Sequence, residues 1–159
     1  GDDAGAIFEA LRKLAEQATA AGTLHTSLMQ ALEQARGGQA MTLHDILDAF
    51  MRPFFTLSAE DPRWRDYARL VAFVSVDDRW RDLSAQYFDP TAAVFIAEIL
   101  LQLPDVSRQQ VAAGFVFSVS AMLALLTSKN RIGDLGAGDG SEEEQIAHLV
   151  RFCAAGFAG

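Results

Sequence analysis

The chain has 159 residues, 50% of them hydrophobic and 21% charged, which is the composition of a globular domain large enough to bury a core. Its formal net charge is −8 and its two lysines are Lys13 and Lys129, so it lacks a basic stripe for holding a nucleic-acid backbone. Cys153 is the single cysteine, which excludes an internal disulfide. With neither a signal peptide nor an apolar run of the ~20 residues that span a bilayer, we expect a cytoplasmic protein.

The first part of the chain predicts two helical segments. Apolar residues recur every three or four positions over residues 7–18 and again over residues 24–32, which is the spacing of one helical face. Gly22 lies between these stretches and predicts a break or a kink. Gly37, followed by a second glycine, predicts the end of the second segment.

Thr42 and Asp45 have the spacing of a capping box, with aspartate in place of the usual glutamate. They predict the first turn of a helix whose apolar residues include Phe50 and Phe54. Pro53 lies inside this helix and lacks a backbone N–H, so we expect a bend. A bent helix cannot pack flush along its length, and it can therefore enclose an apolar cavity.

The sequence contains a near repeat, DPRWRD at residues 61–66 and DDRWRD at residues 77–82. Both tryptophans lie in it, so a functional motif and a repeated helix beginning are the two interpretations. In each copy an aspartate can favour the positive end of a helix while Trp64 or Trp80 turns toward the core. The net acidity argues against stacking on nucleic acid. We predict two helix N-termini, with closure of a pocket mouth by either tryptophan left open.

The second half of the chain continues the helical pattern. Asp89 predicts a helix start, and Ser107 predicts the N-cap of a very apolar helix. The glycine-rich residues 133–140 predict a flexible loop, and SEEEQ predicts the capped start of a final helix. No stretch alternates apolar and polar residues long enough to indicate a sheet. We therefore predict an all-α fold, a single bundle of about seven to eight helices over residues 1–159.

Catalytic and metal-binding patterns are missing from the sequence. The three histidines, His25, His44 and His148, are far apart and have no neighbouring ligand pattern. His25 has apolar neighbours and is a candidate for hydrogen-bonding a ligand, with a satisfied surface histidine as the alternative. Glu98 is a carboxylate whose neighbours in the sequence are apolar. This pattern indicates either contact with an arginine or a ligand, or a position at the solvent-exposed edge of a helix. With no acid, base and nucleophile set, we predict no enzyme activity, no cofactor and no metal.

The order of these elements is similar to that of the C-terminal regulatory domain of TetR-family transcriptional regulators. The opening GDDAGAIFEAL resembles the family's segment just after its helix-turn-helix. TLHDILDAFMRPFF resembles a Thr-Leu-x-x-Val-Leu-x-x-Phe-x-x-Pro stretch of one TetR subfamily, and HLVRFCAAGFAG looks like the closing Leu-Val-x-Phe-x-x-x-Gly-Leu helix. The family's helix-turn-helix is not in this chain, and we expect it upstream of Gly1.

The resemblance implies a homodimer that binds a small molecule. Binding would shift the population of dimer conformations and so change the DNA affinity of the DNA-binding domains. In the family the effector lies inside the bundle. The corresponding ligand-site residues are His25, Met29, Phe50, Phe54, Phe73 and Phe117. Two late helices of each subunit form the dimer interface, which by position are residues 91–103 and 108–126. Small residues such as Gly114 would allow close approach across a two-fold axis. The predicted interface residues are Val94, Glu98, Leu101, Gly114, Ser118 and Met122.

The implied function is the effector-binding and homodimerisation domain of a DNA-binding regulator. Repression is favoured, the effector is small and largely hydrophobic or aromatic, and no membrane contact is expected. Two alternatives stay open. A helical protein-interaction or scaffold domain would have no small-molecule ligand and no internal pocket. A small helical enzyme would need a polar cluster with shifted pKa values, which the sequence does not contain.

Overall fold

A computed structural model describes residues 3–9, 20–37, 40–75, 78, 88–136, 138 and 140–158, with the side chains of residues 20–21 and 70–75 outside that description. Over these residues the chain consists of helices joined by turns, and none of them lies in a β-strand. The prediction of an all-α fold is confirmed.

The helices are numbered in chain order, and α1 comprises residues 3–9. The others are α2 (Ala20–Arg36), α3 (Leu43–Glu60), α4 (Arg63–Ser75), α5 (Asp89–Gln102), α6 (Arg108–Thr127), α7 (Lys129–Gly136) and α8 (Glu142–Ala158). Helix α2 runs through Gly22, so the chain does not break at this residue, and the alternative of a kink stays a prediction. It ends immediately before Gly37, as the glycine pair predicts.

The start of α3 is fixed by a reciprocal capping box. The Thr42 hydroxyl accepts a hydrogen bond from the Asp45 N–H at 3.2 Å, and the Asp45 carboxylate accepts one from the Thr42 N–H at 2.9 Å. Two N–H groups that the helix cannot satisfy by itself are thereby paired. The helix continues through Pro53 to Glu60, so the proline does not end it.

The first copy of the repeated segment begins a helix, as predicted. The Asp61 carboxylate accepts a hydrogen bond from the Arg63 N–H at 3.0 Å and pairs with the Arg63 guanidinium at 2.7 Å. The guanidinium lowers the pKa of Asp61. Trp64 is partly buried and packs edge-on against Tyr67, with ring centroids 5.5 Å apart. The second copy, including Trp80, lies outside the described residues apart from one position.

Helix α6 begins at its predicted cap and lies in the centre of the bundle. The Ser107 hydroxyl accepts a hydrogen bond from the Gln110 N–H at 3.1 Å. By length and composition this helix could cross a membrane, since an 18-residue window has a mean hydropathy of 1.8. It packs against α4, α5 and α8, and 39% of that window is buried. A core helix of a globular protein has the same composition.

The predicted flexible loop over residues 133–140 is wrong in its first half, because α7 extends to Gly136. Gly140 has a φ of 69°, a left-handed conformation that glycine adopts without strain, in the turn before α8. The Ser141 hydroxyl accepts a hydrogen bond from the Glu144 N–H at 3.1 Å, and glutamates fill the first turn of α8. Both features stabilise the helix start, as predicted.

Helices α3 and α6 organise the packing of the described residues. Helix α3 packs against α2, α4, α5 and α8, and α6 packs against α4, α5 and α8. Burying each large apolar side chain contributes about 1.5–3 kcal/mol, so these contacts hold the bundle together. The most deeply buried large side chains are Leu28, Leu32, Ile46, Leu47, Met51, Phe95, Ile99, Val111, Met122 and Phe157.

Candidate functional sites

Four phenylalanines from α3, α5 and α6 meet in the interior of the bundle. The centroid of the Phe50 ring lies 5.6 Å from that of Phe54, 5.0 Å from that of Phe95 and 4.8 Å from that of Phe115. Tilted and edge-on pairs at such distances stabilise a core beyond their apolar burial. The structure thus brings together Phe50 and Phe54, two of the residues predicted for the ligand site.

Of the other predicted ligand-site residues, the structure describes the side chains of His25, Met29 and Phe117. His25 is exposed on α2, and its Nδ1 hydrogen-bonds with the Thr91 hydroxyl of α5 at 2.7 Å. Met29 is partly buried and packs against the core. Phe117 was expected inside the bundle and instead lies on the exposed side of α6. The Phe73 side chain is outside the described residues.

Tyr67 on α4 is a buried polar residue three positions after Trp64, the spacing of one helical face. It is 3% exposed and lies between the rings of Trp64 and Phe88, with the Phe88 centroid at 6.2 Å. Its hydroxyl has no hydrogen-bond partner among the described residues. Burial raises the pKa of Tyr67, so the phenol keeps its proton at neutral pH. No sequence pattern could have shown this, because the lack of a partner depends on which atoms surround the side chain.

A groove of about 880 Å³ runs between α2, α3 and α8. It is lined by apolar residues such as Ala49 and Leu57 together with polar ones, and none of the six predicted ligand-site residues lines it. Arg52, in its wall, pairs with Asp48 at 3.0 Å and with Glu143 of α8 at 2.9 Å. These hydrogen bonds raise the pKa of Arg52 and lower that of Glu143, so the ion pair joins α3 to the start of α8.

Three residues predicted for the dimer interface contribute to packing within the subunit. Met122 and Ser118 are buried, and the Ser118 hydroxyl donates a hydrogen bond to the Gly114 carbonyl at 2.8 Å. Gly114 faces α8, where a Cβ added to it would lie 2.7 Å from the Phe157 ring. These contacts pack α6 into its own subunit, where Met122 and Ser118 are buried and Gly114 is partly buried. Periodicity could not show this, because α6 is apolar on nearly every side.

The predicted interface residues on α5 have three different surroundings. Glu98 forms an ion pair with Arg36 at the end of α2, and this hydrogen bond raises the pKa of Arg36. The arginine contact proposed for Glu98 from its apolar neighbours is therefore present. Val94 is partly buried against the core, whereas Leu101 is exposed. Of these three, Leu101 is the one whose side chain faces solvent.

Large apolar side chains are exposed on α6 and α8. Phe117 is 70% exposed, Val116 is 61% exposed and Phe152 of α8 is 68% exposed. Phe117 directly precedes Ser118 and Phe152 directly precedes Cys153, and Ser118 and Cys153 face each other where the helices pack, so that the Ser118 hydroxyl partly offsets the rise in the pKa of the Cys153 thiol. Positions next to such a facing pair flank the contact between two packed helices. Val116, Phe117 and Phe152 define what we term the outer apolar face.

Titratable groups do not assemble into a reactive centre in the described part of the chain. No three or more His, Cys, Asp or Glu residues there are placed to hold a metal ion. Cys153 is buried, which raises the pKa of its thiol and disfavours the reactive thiolate. The features available for function are thus the aromatic interior, the Tyr67 hydroxyl, the groove and the outer apolar face.

Comparison with known protein families gives a match for this chain. The family model described as "Tetracyclin repressor-like, C-terminal domain" matches residues 48–156, which is more than half of the chain. The matched segment begins within α3 and ends within α8, so it includes the aromatic cluster, Tyr67 and the outer apolar face. A search of curated proteins gives no match.

Proposed function

Because the chain belongs to the family of tetracyclin repressor-like C-terminal domains, we propose that it is the effector-binding and homodimerisation domain of a transcriptional repressor. Domains of this family are in general regulatory and not enzymes, and they typically dimerise and bind small effectors. The proposal includes repression of transcription, a largely hydrophobic effector, a cytoplasmic location and DNA binding through a separate helix-turn-helix domain. The outer apolar face is the observation that carries it.

The outer apolar face supports dimerisation through α6 and α8. Single exposed apolar residues are ordinary on protein surfaces, but Phe117 and Phe152 flank one helix contact and Val116 adjoins them on α6. When two such helix pairs meet around a two-fold axis, each subunit covers the apolar face of the other. Burial of Phe117 and Phe152 would contribute about 1.5–3 kcal/mol per side chain.

The surface around these rings also allows close approach. Gly156 lies one helical turn after Phe152 on α8, and a Cβ added at Gly156 would have nothing within 4 Å. Ser120 and Ala124 are small exposed residues on α6. We therefore place the two-fold axis at α6 and α8 instead of at α5 and α6, the pair that the sequence suggested.

Sedimentation at micromolar concentration tests this placement with matched variants. We expect the chain to sediment as a dimer, and Phe152→Glu and Gly156→Arg to sediment as folded monomers. Leu101→Glu introduces the same charge at an exposed apolar position on α5 and should leave the dimer intact. A dimer dissociated by Leu101→Glu and not by Phe152→Glu would move the interface back to α5, and a monomeric wild-type chain would contradict dimerisation altogether.

The aromatic interior supports a hydrophobic effector. We propose that the effector site lies beside Phe50 and Phe54, with Met29, Phe73 and His25 as the further candidates from α2 and α4. Binding would change operator affinity through the difference in effector affinity between two arrangements of the dimer.

A thermal screen of small aromatic and aliphatic compounds tests this. A compound at a hundred times its dissociation constant stabilises the fold by about 2.7 kcal/mol. If no compound raises the melting temperature saturably, the alternative of an interaction domain without a ligand is favoured.

A further inference from the structure

We propose that the Tyr67 hydroxyl is the hydrogen-bonding group of the effector site, and that the effector is an uncharged, largely apolar molecule that carries a hydrogen-bond acceptor. The proposal rests on the proposed function, because it assigns the polar contact of that effector site. It begins from a buried hydroxyl that the described residues leave without a hydrogen bond.

Two hydroxyls of α6, one on a buried residue and one on a partly buried residue, have partners within the helix. The Ser118 hydroxyl donates to the Gly114 carbonyl at 2.8 Å, and the Thr127 hydroxyl donates to the Leu123 carbonyl at 2.7 Å. Leaving a buried donor unsatisfied is costly, and each such group requires an explanation. Tyr67 is 3% exposed and no described donor or acceptor pairs with its hydroxyl, so a bound molecule is the explanation that fits a sensory domain.

The surroundings of Tyr67 indicate the chemical class of that molecule. The neighbouring rings of Trp64 and Phe88 offer apolar surface for an aromatic or aliphatic body. The three arginines of the same helix, Arg63, Arg65 and Arg69, are exposed, and Arg63 and Arg69 are already paired with Asp61 and Asp66. An anionic effector at Tyr67 would be buried without a countercharge from these arginines, which disfavours it.

The protonation state of Tyr67 indicates which partner donates the hydrogen bond. Burial raises the pKa of the phenol, so it is a neutral O–H at physiological pH. It can donate to a carbonyl, an ether oxygen or an aromatic nitrogen of the effector. These are the acceptors that an uncharged, largely apolar molecule commonly carries.

The position of Tyr67 also connects the effector to the dimer. Helix α4 packs against α6, which supplies Phe115 to the aromatic cluster and Phe117 to the outer apolar face. A molecule bound to Tyr67 therefore acts on the helix adjacent to the proposed interface. It can favour one arrangement of the two subunits if its affinity for the two arrangements differs.

The experiment uses the chain labelled with carbon-13 at the Cζ atoms of its two tyrosines, because the Cζ resonance responds to hydrogen bonding of the hydroxyl. The probes are acetophenone, α-methylstyrene and benzoate, which have similar shapes. Acetophenone is an uncharged acceptor, α-methylstyrene lacks the acceptor, and benzoate is an anion. The Tyr67 resonance is assigned by its loss in Tyr67→Phe.

We expect acetophenone to move the Tyr67 resonance saturably and to bind more tightly than benzoate. Tyr67→Phe should weaken acetophenone about five- to tenfold and α-methylstyrene less than about twofold, which is the range of one hydrogen bond. Without a probe, Tyr67→Phe should be as stable as the wild type or more stable. Ser118→Ala is the control, since it removes a buried hydroxyl that has a partner and should not change the preference for acetophenone.

Three results would overturn the proposal. If acetophenone raises the melting temperature saturably and leaves the Tyr67 resonance unmoved, the assignment fails while the effector-binding function stands. Tighter binding of benzoate than of acetophenone overturns the uncharged class. If no probe gives a saturable response, the Tyr67 assignment is rejected, and the wider compound screen and sedimentation then decide the proposed function separately.

Discussion

Gly114 of α6 lies directly against the ring of Phe157 of α8, so that a Cβ added to the glycine would lie 2.7 Å from the Cε1 atom and 2.8 Å from the Cδ1 atom of that ring. Phe157 is itself buried. The glycine is therefore required for the contact between two helices of one subunit. A large residue at position 114 would therefore disturb the fold of the subunit itself.

Gly114→Ala should destabilise the subunit. We expect a net loss of about 1–2 kcal/mol, because overpacking against Phe157 outweighs the higher helix propensity of alanine. Gly156→Ala is the matched control on α8, where a Cβ meets nothing within 4 Å, and it should add up to about 1 kcal/mol. Urea denaturation below the dimer dissociation constant measures both, so that a change at the proposed interface does not enter the comparison. Equal stability of the two variants would show that the Phe157 ring moves aside without cost.

Phe50→Ala and Phe117→Ala should differ widely in stability, although both residues were predicted for the ligand site. Phe50 is buried among three other rings, so its loss should cost about 3–5 kcal/mol. Phe117 is exposed in the subunit, so Phe117→Ala should change the subunit's stability by less than about 0.5 kcal/mol. It should also weaken the dimer in sedimentation. Denaturation below the dimer dissociation constant separates these effects, and a large loss for Phe117→Ala there would contradict its exposed position.

Thr42→Ala should destabilise α3 by about 1 kcal/mol, because it removes the acceptor for the Asp45 N–H and leaves that group unpaired at the helix start. Thr23→Ala is the control, since Thr23 is exposed in the interior of α2 and alanine there should be neutral or slightly stabilising. Urea midpoints compare the two. If Thr42→Ala is as stable as Thr23→Ala, the capping box contributes nothing measurable.

The ion pair between Arg52 and Glu143 should make stability depend on pH. The hydrogen bond to Arg52 lowers the folded-state pKa of Glu143, so its stabilisation is present above the unfolded-state pKa and is lost as pH falls through the folded-state value. Glu143→Gln should therefore be less stable than the wild type at neutral pH, and the difference should disappear as pH falls through the lowered folded-state pKa of Glu143.

Glu142→Gln is the matched control for this titration, because Glu142 is in the same first turn and forms no ion pair with the described residues. Its stability relative to the wild type should vary less with pH. Denaturation at a series of pH values gives both curves. Identical curves for Glu142→Gln and Glu143→Gln would mean that proximity to the helix start, and not Arg52, causes the dependence.

Local features of the fold follow from the sequence because their interactions span three residues or fewer. The caps at Thr42, Ser107 and Ser141 and the start of α4 after Asp61 join atoms that are close along the chain. The composition and the helical period also determine that the chain is an all-α bundle with an apolar interior.

The candidate sites depend on contacts between residues far apart in the chain, which periodicity does not specify. Because α6 is apolar on nearly every side, only its packing on α8 decides that Gly114 and Ser118 face inward while Phe117 faces outward. The sequence by itself identifies Tyr67 as one more apolar-face residue. Tertiary structure decides that its hydroxyl is buried without a partner among the described residues, because hydrogen bonding depends on which helices close around it.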